Sequence, residues 1–229
     1  MKKAFTIMIL LAGAMSGHSQ GNVEFNDLTT NFKQMFFGVQ PSANDNTTVT
    51  YNGYTVHEEM GSTSAPDETP KGATVYATGT ALLGTGFSAQ LLGAAGANDS
   101  LSQLAPIPGV FTSGILTFVT VAAGAGFLKG ADLDAIPGTP AASPAATVAI
   151  AVWDDEGGTV TSLAMAQADG DPWEISNLGN VTTTIPPFVP ASMPITIESF
   201  SLGTVPDQLS PAIALGVISA SVFSFRRLK

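Results

Sequence analysis

The side chains best suited to chemistry in this chain are carboxylates. The string WDDEGG sets Asp154, Asp155 and Glu156 at the end of a strand-like run, and ADGDPW adds Asp169 and Asp171. Oxygen ligands carried on turns suit calcium, which takes about six to eight of them. The spacing matches no EF-hand loop, and acids that end a strand at glycines are ordinarily solvated. Two readings therefore stand: a calcium site on Asp154, Asp155, Glu156, Asp169 and Asp171, or a solvated acidic turn. Paired acids also serve glycoside hydrolysis, which needs two carboxyls facing across a cleft about 5 to 10 Å apart. Neighbours such as Asp154 and Asp155 point to opposite faces of a strand, which argues against that use.

Other chemistries have less to stand on. The chain holds no cysteine, so disulfides, thiolate metal sites and cysteine nucleophiles are excluded. A serine triad would need His57 as its base, and no Gly-x-Ser-x-Gly elbow occurs. His57, beside Glu58 and Glu59, reads as the end of a strand. The glycines of GTGFSA (Gly84 to Ala89) lead into an alternating run with no helix behind them, which makes a turn and not a phosphate cradle. Trp153, Trp173, Tyr51, Tyr54 and Tyr76 are the aromatics that can stack on sugar rings or fill a core.

The elements that must position these groups read as strands. Phe87 to Leu92 (FSAQLL), Val148 to Trp153 (VAIAVW) and Ile115 to Val121 (ILTFVTV) are short apolar or alternating runs. TVTYNGYTV places Asn52-Gly53 between two β-rich arms, a hairpin signal. With 24 Gly and 15 Pro, few windows can hold a helix of three turns. The helical window is ANDSLSQL, Ala97 to Leu104, with Asn98 or Asp99 as N-cap. Asp134 to Ala146 reads as a Pro/Ala/Ser loop and Ile185 to Pro194 as an extended edge segment rich in proline. Pro106, Pro108, Gly109 and Gly114 interrupt the uncharged span from Ser100 to Leu128, so strands are expected there and not a membrane pass. No repeat of solenoid length is apparent. The expected fold is all-β: a two-layer β-sandwich of jelly-roll or immunoglobulin-like type.

Charge and the two ends bear on function. The formal charge is −10, and five of the eight cations (Lys2, Lys3, Arg226, Arg227, Lys229) lie at the extremities. Three lysines in the remaining chain cannot line a phosphate backbone, which excludes nucleic acid as a partner. Residues 1–19 show a charged start, an apolar core from Ala4 to Met15 and small residues at Gly17 and Ser19, the pattern of a signal peptide cleaved before Gln20. At the other end Leu209 to Phe225 is seventeen residues without a charge, followed at once by RRLK. That length is enough for a short transmembrane helix, and the cations after it favour the cytoplasmic side, leaving the body outside.

A Val-Pro motif, a transmembrane segment and an arginine cluster in that order resemble the PEP-CTERM sorting signal of bacteria. Val205, Pro206, Asp207 and Gln208 hold the motif position, and Arg226, Arg227 and Lys229 the basic cluster. Asp207 stands where glutamate is usual and Gln208 where a second proline is usual. GNVEFND, TALLGTGFSAQLLGAAGANDSL, VAIAVWDDEGG, SNLGNV and IESFSLGTVP extend the likeness to exported PEP-CTERM proteins of Verrucomicrobia-like bacteria. The resemblance implies a membrane-embedded exosortase as partner, and no assigned activity or cofactor. The expected organisation is a signal peptide (1–19), a β-sandwich (20–204) and a sorting signal (205–229). The expected role is that of a noncatalytic exported protein of the cell envelope or extracellular matrix. A carbohydrate-binding module, with polysaccharide as partner, and a secreted hydrolase are the other two readings.

Overall fold

The computed structural model describes residues 20–27, 34–39, 48–57, 81–110, 112–140, 145–184, 188–194 and 196–203. In chain order the strands are β1 (Gly21–Phe25), β2 (Phe36–Phe37), β3 (Thr48–Tyr51), β4 (Tyr54–His57), β5 (Phe87–Ala95), β6 (Ala105–Pro106), β7 (Ile115–Thr117), β8 (Asp132–Ile136) and β9 (Ala145–Asp154). The helix α1 (Leu163–Asp169) and strands β10 (Trp173–Ile175), β11 (Gly179–Thr182), β12 (Ala191–Ser192) and β13 (Phe200–Ser201) follow. The protein is thus mostly β, as its short apolar runs and turn residues predict.

The centre is the antiparallel pair β5–β9, in register from Phe87 opposite Asp154 to Ala95 opposite Ala146. β10 and β11 pair with the other edge of β9, and β6 and β7 with that of β5. A second sheet runs β12–β1–β8, with β1 antiparallel to β8 and parallel to β12. β13 and β2 also pair in parallel, while β3–β4 is the expected hairpin turning at Asn52-Gly53, both at positive φ.

An uninterrupted apolar strand is one buried on both faces, and β9 is such a strand. Ala146, Val148, Ile150 and Val152 enter a larger core together with Val23 and Phe25 of β1 and Ile136 of β8. Phe36 meets Phe118 and Phe200 edge-on there, with ring centroids 5.9 and 5.0 Å apart. Ala149, Ala151 and Trp153 enter a second core with Tyr51, Leu101, Leu104, Leu163, Ala166 and Trp173. The central sheet is therefore covered on its second face by α1 and the β3–β4 hairpin, where a plain two-layer arrangement would leave it to solvent.

The helix stands elsewhere than expected. Within 97–104 only Leu101–Gln103 makes a single 3-10 turn; its N-cap is Ser100, in extended conformation, while Asn98 has φ of 64°. The α-helix forms instead at Leu163–Asp169. Ser162 Oγ accepts from Met165 N at 3.2 Å, Leu163, Ala166 and Gln167 face inward, and Gly170 ends the helix at φ 82°. The run from Ile115 is in strand only to Thr117, and the first residues of the expected Asp134–Ala146 loop complete β8. The proline-rich segment does form an edge, through β12.

Among the described residues no helix is long and apolar enough to cross a membrane. Residues 1–19, the Val205–Gln208 motif, the 209–225 span and Arg226, Arg227 and Lys229 lie outside the described residues.

Candidate functional site

The WDDEGG acids separate by face. Asp154 ends β9 half-buried, its Oδ1 accepting from Glu156 N at 2.9 Å. Asp155 turns inward: it is buried, its Oδ2 accepts from Ser88 Oγ at 2.6 Å and its Oδ1 from Gly158 N at 2.9 Å. Glu156, Gly157 and Gly158 follow at φ 48°, 71° and 94°, a left-handed run that Asp155 ties down. Asp155 is thus occupied by protein donors.

The remaining acids stay close to one another. The Asp171 carboxyl is pushed up from its ordinary value, first by desolvation and then by the charges of Glu156, Asp169 and Asp154. Its Oδ2 is buried without a partner, whereas Asp169 is exposed at the end of α1. Among the described residues no group of three or more His, Asp or Glu side chains is arranged to hold a metal. The five acids read together in the sequence are a pinned Asp155 and a loose acidic rim.

Among the described residues, the aromatics named from the sequence pack inward or against one another. Trp153, Trp173 and Tyr51 are buried, Trp153 donating Nε1 to Val160 O at 3.0 Å. Tyr54 packs edge-on against Trp173 with centroids 6.1 Å apart, and Tyr76 lies outside the described residues. His57 ends β4, as expected, and Gly84 forms a turn at φ 85° ahead of β5. The exposed large apolar side chains include Phe188 and Val189, at 74% and 81%.

A second acidic constellation lies on β8. Strand alternation sends Asp132, Asp134 and Ile136 inward together, opposite Phe25, Val23 and Gly21 of β1. Asp132 Oδ1 accepts from Leu133 N at 2.8 Å, and Oδ2 accepts from Thr112 Oγ1, which itself accepts from Gly114 N at 3.0 Å. Asp134 is 0% exposed and neither of its carboxyl oxygens has a hydrogen-bond partner. Burial, with Asp132 beside it, pushes its pKa up to about 8. Asp27, just past β1, is equally buried. Its Oδ2 accepts from Leu128 N at 2.8 Å, its Oδ1 has no partner, and desolvation raises it to about 7. A groove of about 380 Å³ lined by Glu24, Thr112, Ala131, Asp132, Leu133 and Pro190 opens beside Asp132.

The sequence holds a faint trace of the β8 pair. In DLDAI the period of two groups Asp132 and Asp134 with Ile136, but apolar-inward reasoning would bury Leu133 and Ala135 instead. The structure takes the opposite phase. Comparison with protein families, with curated proteins and with solved structures finds no match to this chain.

Proposed function

We propose that this chain is a noncatalytic exported protein of the cell envelope or extracellular matrix, carrying a PEP-CTERM-like sorting signal over 205–229. The observation that carries the reading is the tail itself: Val205-Pro206, then the uncharged Leu209 to Phe225, then Arg226, Arg227 and Lys229. An apolar span followed at once by cations stops translocation with its basic end in the cytoplasm. The apolar segment before Gln20, with its lysines at the start, supplies export by the same logic. An exosortase-like membrane protease is the partner this reading calls for, acting on Val205, Pro206, Asp207 and Gln208. Within it, residues 20–204 are the exported body, read as a sandwich of jelly-roll or immunoglobulin-like type; the shared core of the β12–β1–β8 sheet and the six-stranded sheet supports that reading.

The commitment of Asp155, Trp153, Trp173 and Tyr51 to internal contacts supports a scaffold over an enzyme or a carbohydrate-binding module. Intact-mass analysis of the protein from its native host tests both ends together. A mature chain beginning at Gln20, in the envelope or outside the cell, is the expected result. A soluble cytoplasmic protein still beginning at Met1 would overturn the proposal, and retention on polysaccharide gels would favour the carbohydrate-binding reading.

A further inference from the structure

We propose that Asp132 and Asp134 form a binding site for a hard divalent cation of the calcium type. The proposal goes beyond the sorting role and does not depend on it. Asp134 sets the problem. Charged, its carboxylate is buried without a counter-ion; neutral, its two oxygens still have no partner within hydrogen-bonding distance. Protonation removes the first cost and not the second. A cation between Asp134 and Asp132 removes both.

The strand supplies the spacing. Residues two apart on one face lie about 7 Å apart along β8, from which two carboxylates can lean onto one ion at metal–oxygen distances of about 2.3 to 2.6 Å. The Thr112 hydroxyl, fixed by Gly114 N, holds Asp132 in place. Gly109, bridged to Asp134, leaves room that a side chain would take, since a Cβ there would collide with the Asp132 carboxyl. The groove lined by Thr112 and Asp132 brings solvent to the Asp132 end of the pair. Across the sheet, Val23 and Phe25 face the two acids and bring no positive charge to compete. The donors are all oxygen, which selects calcium or magnesium over zinc and copper. Two carboxylates completed by water suit the adaptable calcium shell better than the strict magnesium octahedron. An ion needs both carboxylates ionised, so proton and ion compete for the site.

The test is thermal unfolding of the full-length chain in mild detergent, titrated with calcium chloride or magnesium chloride at pH 8.5 and pH 5.5. At pH 8.5 calcium at about 100 times its Kd raises Tm by roughly 5 to 10 °C. The rise shrinks at pH 5.5 and with magnesium. Asp134→Asn keeps the shape, removes the buried charge and abolishes the rise while leaving a folded protein; Asp132→Asn does the same. No shift at millimolar calcium overturns the proposal, as does an equal shift in Asp134→Asn. A shift lost only in Asp154→Asn/Asp171→Asn also overturns it, by assigning the ion to the acidic rim after β9.

Discussion

Asp155 and Asp154 are adjacent acids with opposite fates, and the difference lies in which face of β9 each follows. Asp155 spends its oxygens on Ser88 and Gly158, so Asp155→Ala strands two donors as well as deleting an anion. A loss of about 2 to 4 kcal/mol is expected in chemical denaturation, against roughly 0.5 kcal/mol for Asp154→Ala at its half-exposed position. Equal losses would mean that the turn is not pinned by Asp155. Asp27 and Asp134 act in the other direction. Their folded pKa values, about 7 and about 8, stand above the unfolded value of 3.8. The folded state then binds the extra protons, so stability is full below about pH 4 and falls as pH rises through 7 and 8. In the absence of divalent ions Tm should drop between pH 5 and pH 8.5, and Asp27→Asn/Asp134→Asn should flatten that drop. A wild-type Tm unchanged or rising over the interval would show that these carboxyls are ionised in the fold.

At the scale of elements, local chemistry reads well where it is self-contained and poorly where tertiary packing chooses. The β3–β4 hairpin was legible because Asn52-Gly53 needs nothing beyond its own backbone to turn. β5 and β9 were legible as apolar runs, but nothing in either run announced that they pair with each other, which is a contact across more than fifty residues. The helix shows the opposite error. Ser162, the inward spacing of Leu163, Ala166 and Gln167, and Gly170 form a complete local signal, yet its polar flanks and short length hide it beside ANDSLSQL. Ser162→Ala is expected to cost about 1 kcal/mol through the lost cap to Met165 N, measured by chemical denaturation, and Ser162→Asp little or nothing. At the candidate site, Asp155 could be placed in a turn but not known to face inward. The phase of β8 was beyond reach, because burying Asp132 and Asp134 contradicts the rule by which strand faces are assigned.

At the scale of the whole molecule, the question is where the folded body stops and the proposed sorting signal starts. Ile197, Phe200 and Leu202 are buried in the larger core, β13 pairs with β2, and Gly203 N donates to Trp173 O at 3.2 Å. The body is therefore tied down to within two residues of Val205. Removing residues 206–229 deletes the apolar span and its cations but none of these contacts, and should leave a folded protein that no longer fractionates with membranes. Removing residues 197–229 takes Ile197, Phe200 and Leu202 as well, and each large apolar side chain lost from a core costs about 2 to 5 kcal/mol. Against a typical stability of about 5 to 15 kcal/mol, that truncation should unfold the chain. On the proposed reading, replacing Arg226, Arg227 and Lys229 by glutamate in the full chain should weaken membrane retention without changing the Tm of the body, because cations after an apolar span favour the cytoplasmic side. Should the 206–229 deletion aggregate or unfold while the full chain stays soluble without detergent, Leu209 to Phe225 belongs to the core, and the proposed sorting tail is wrong.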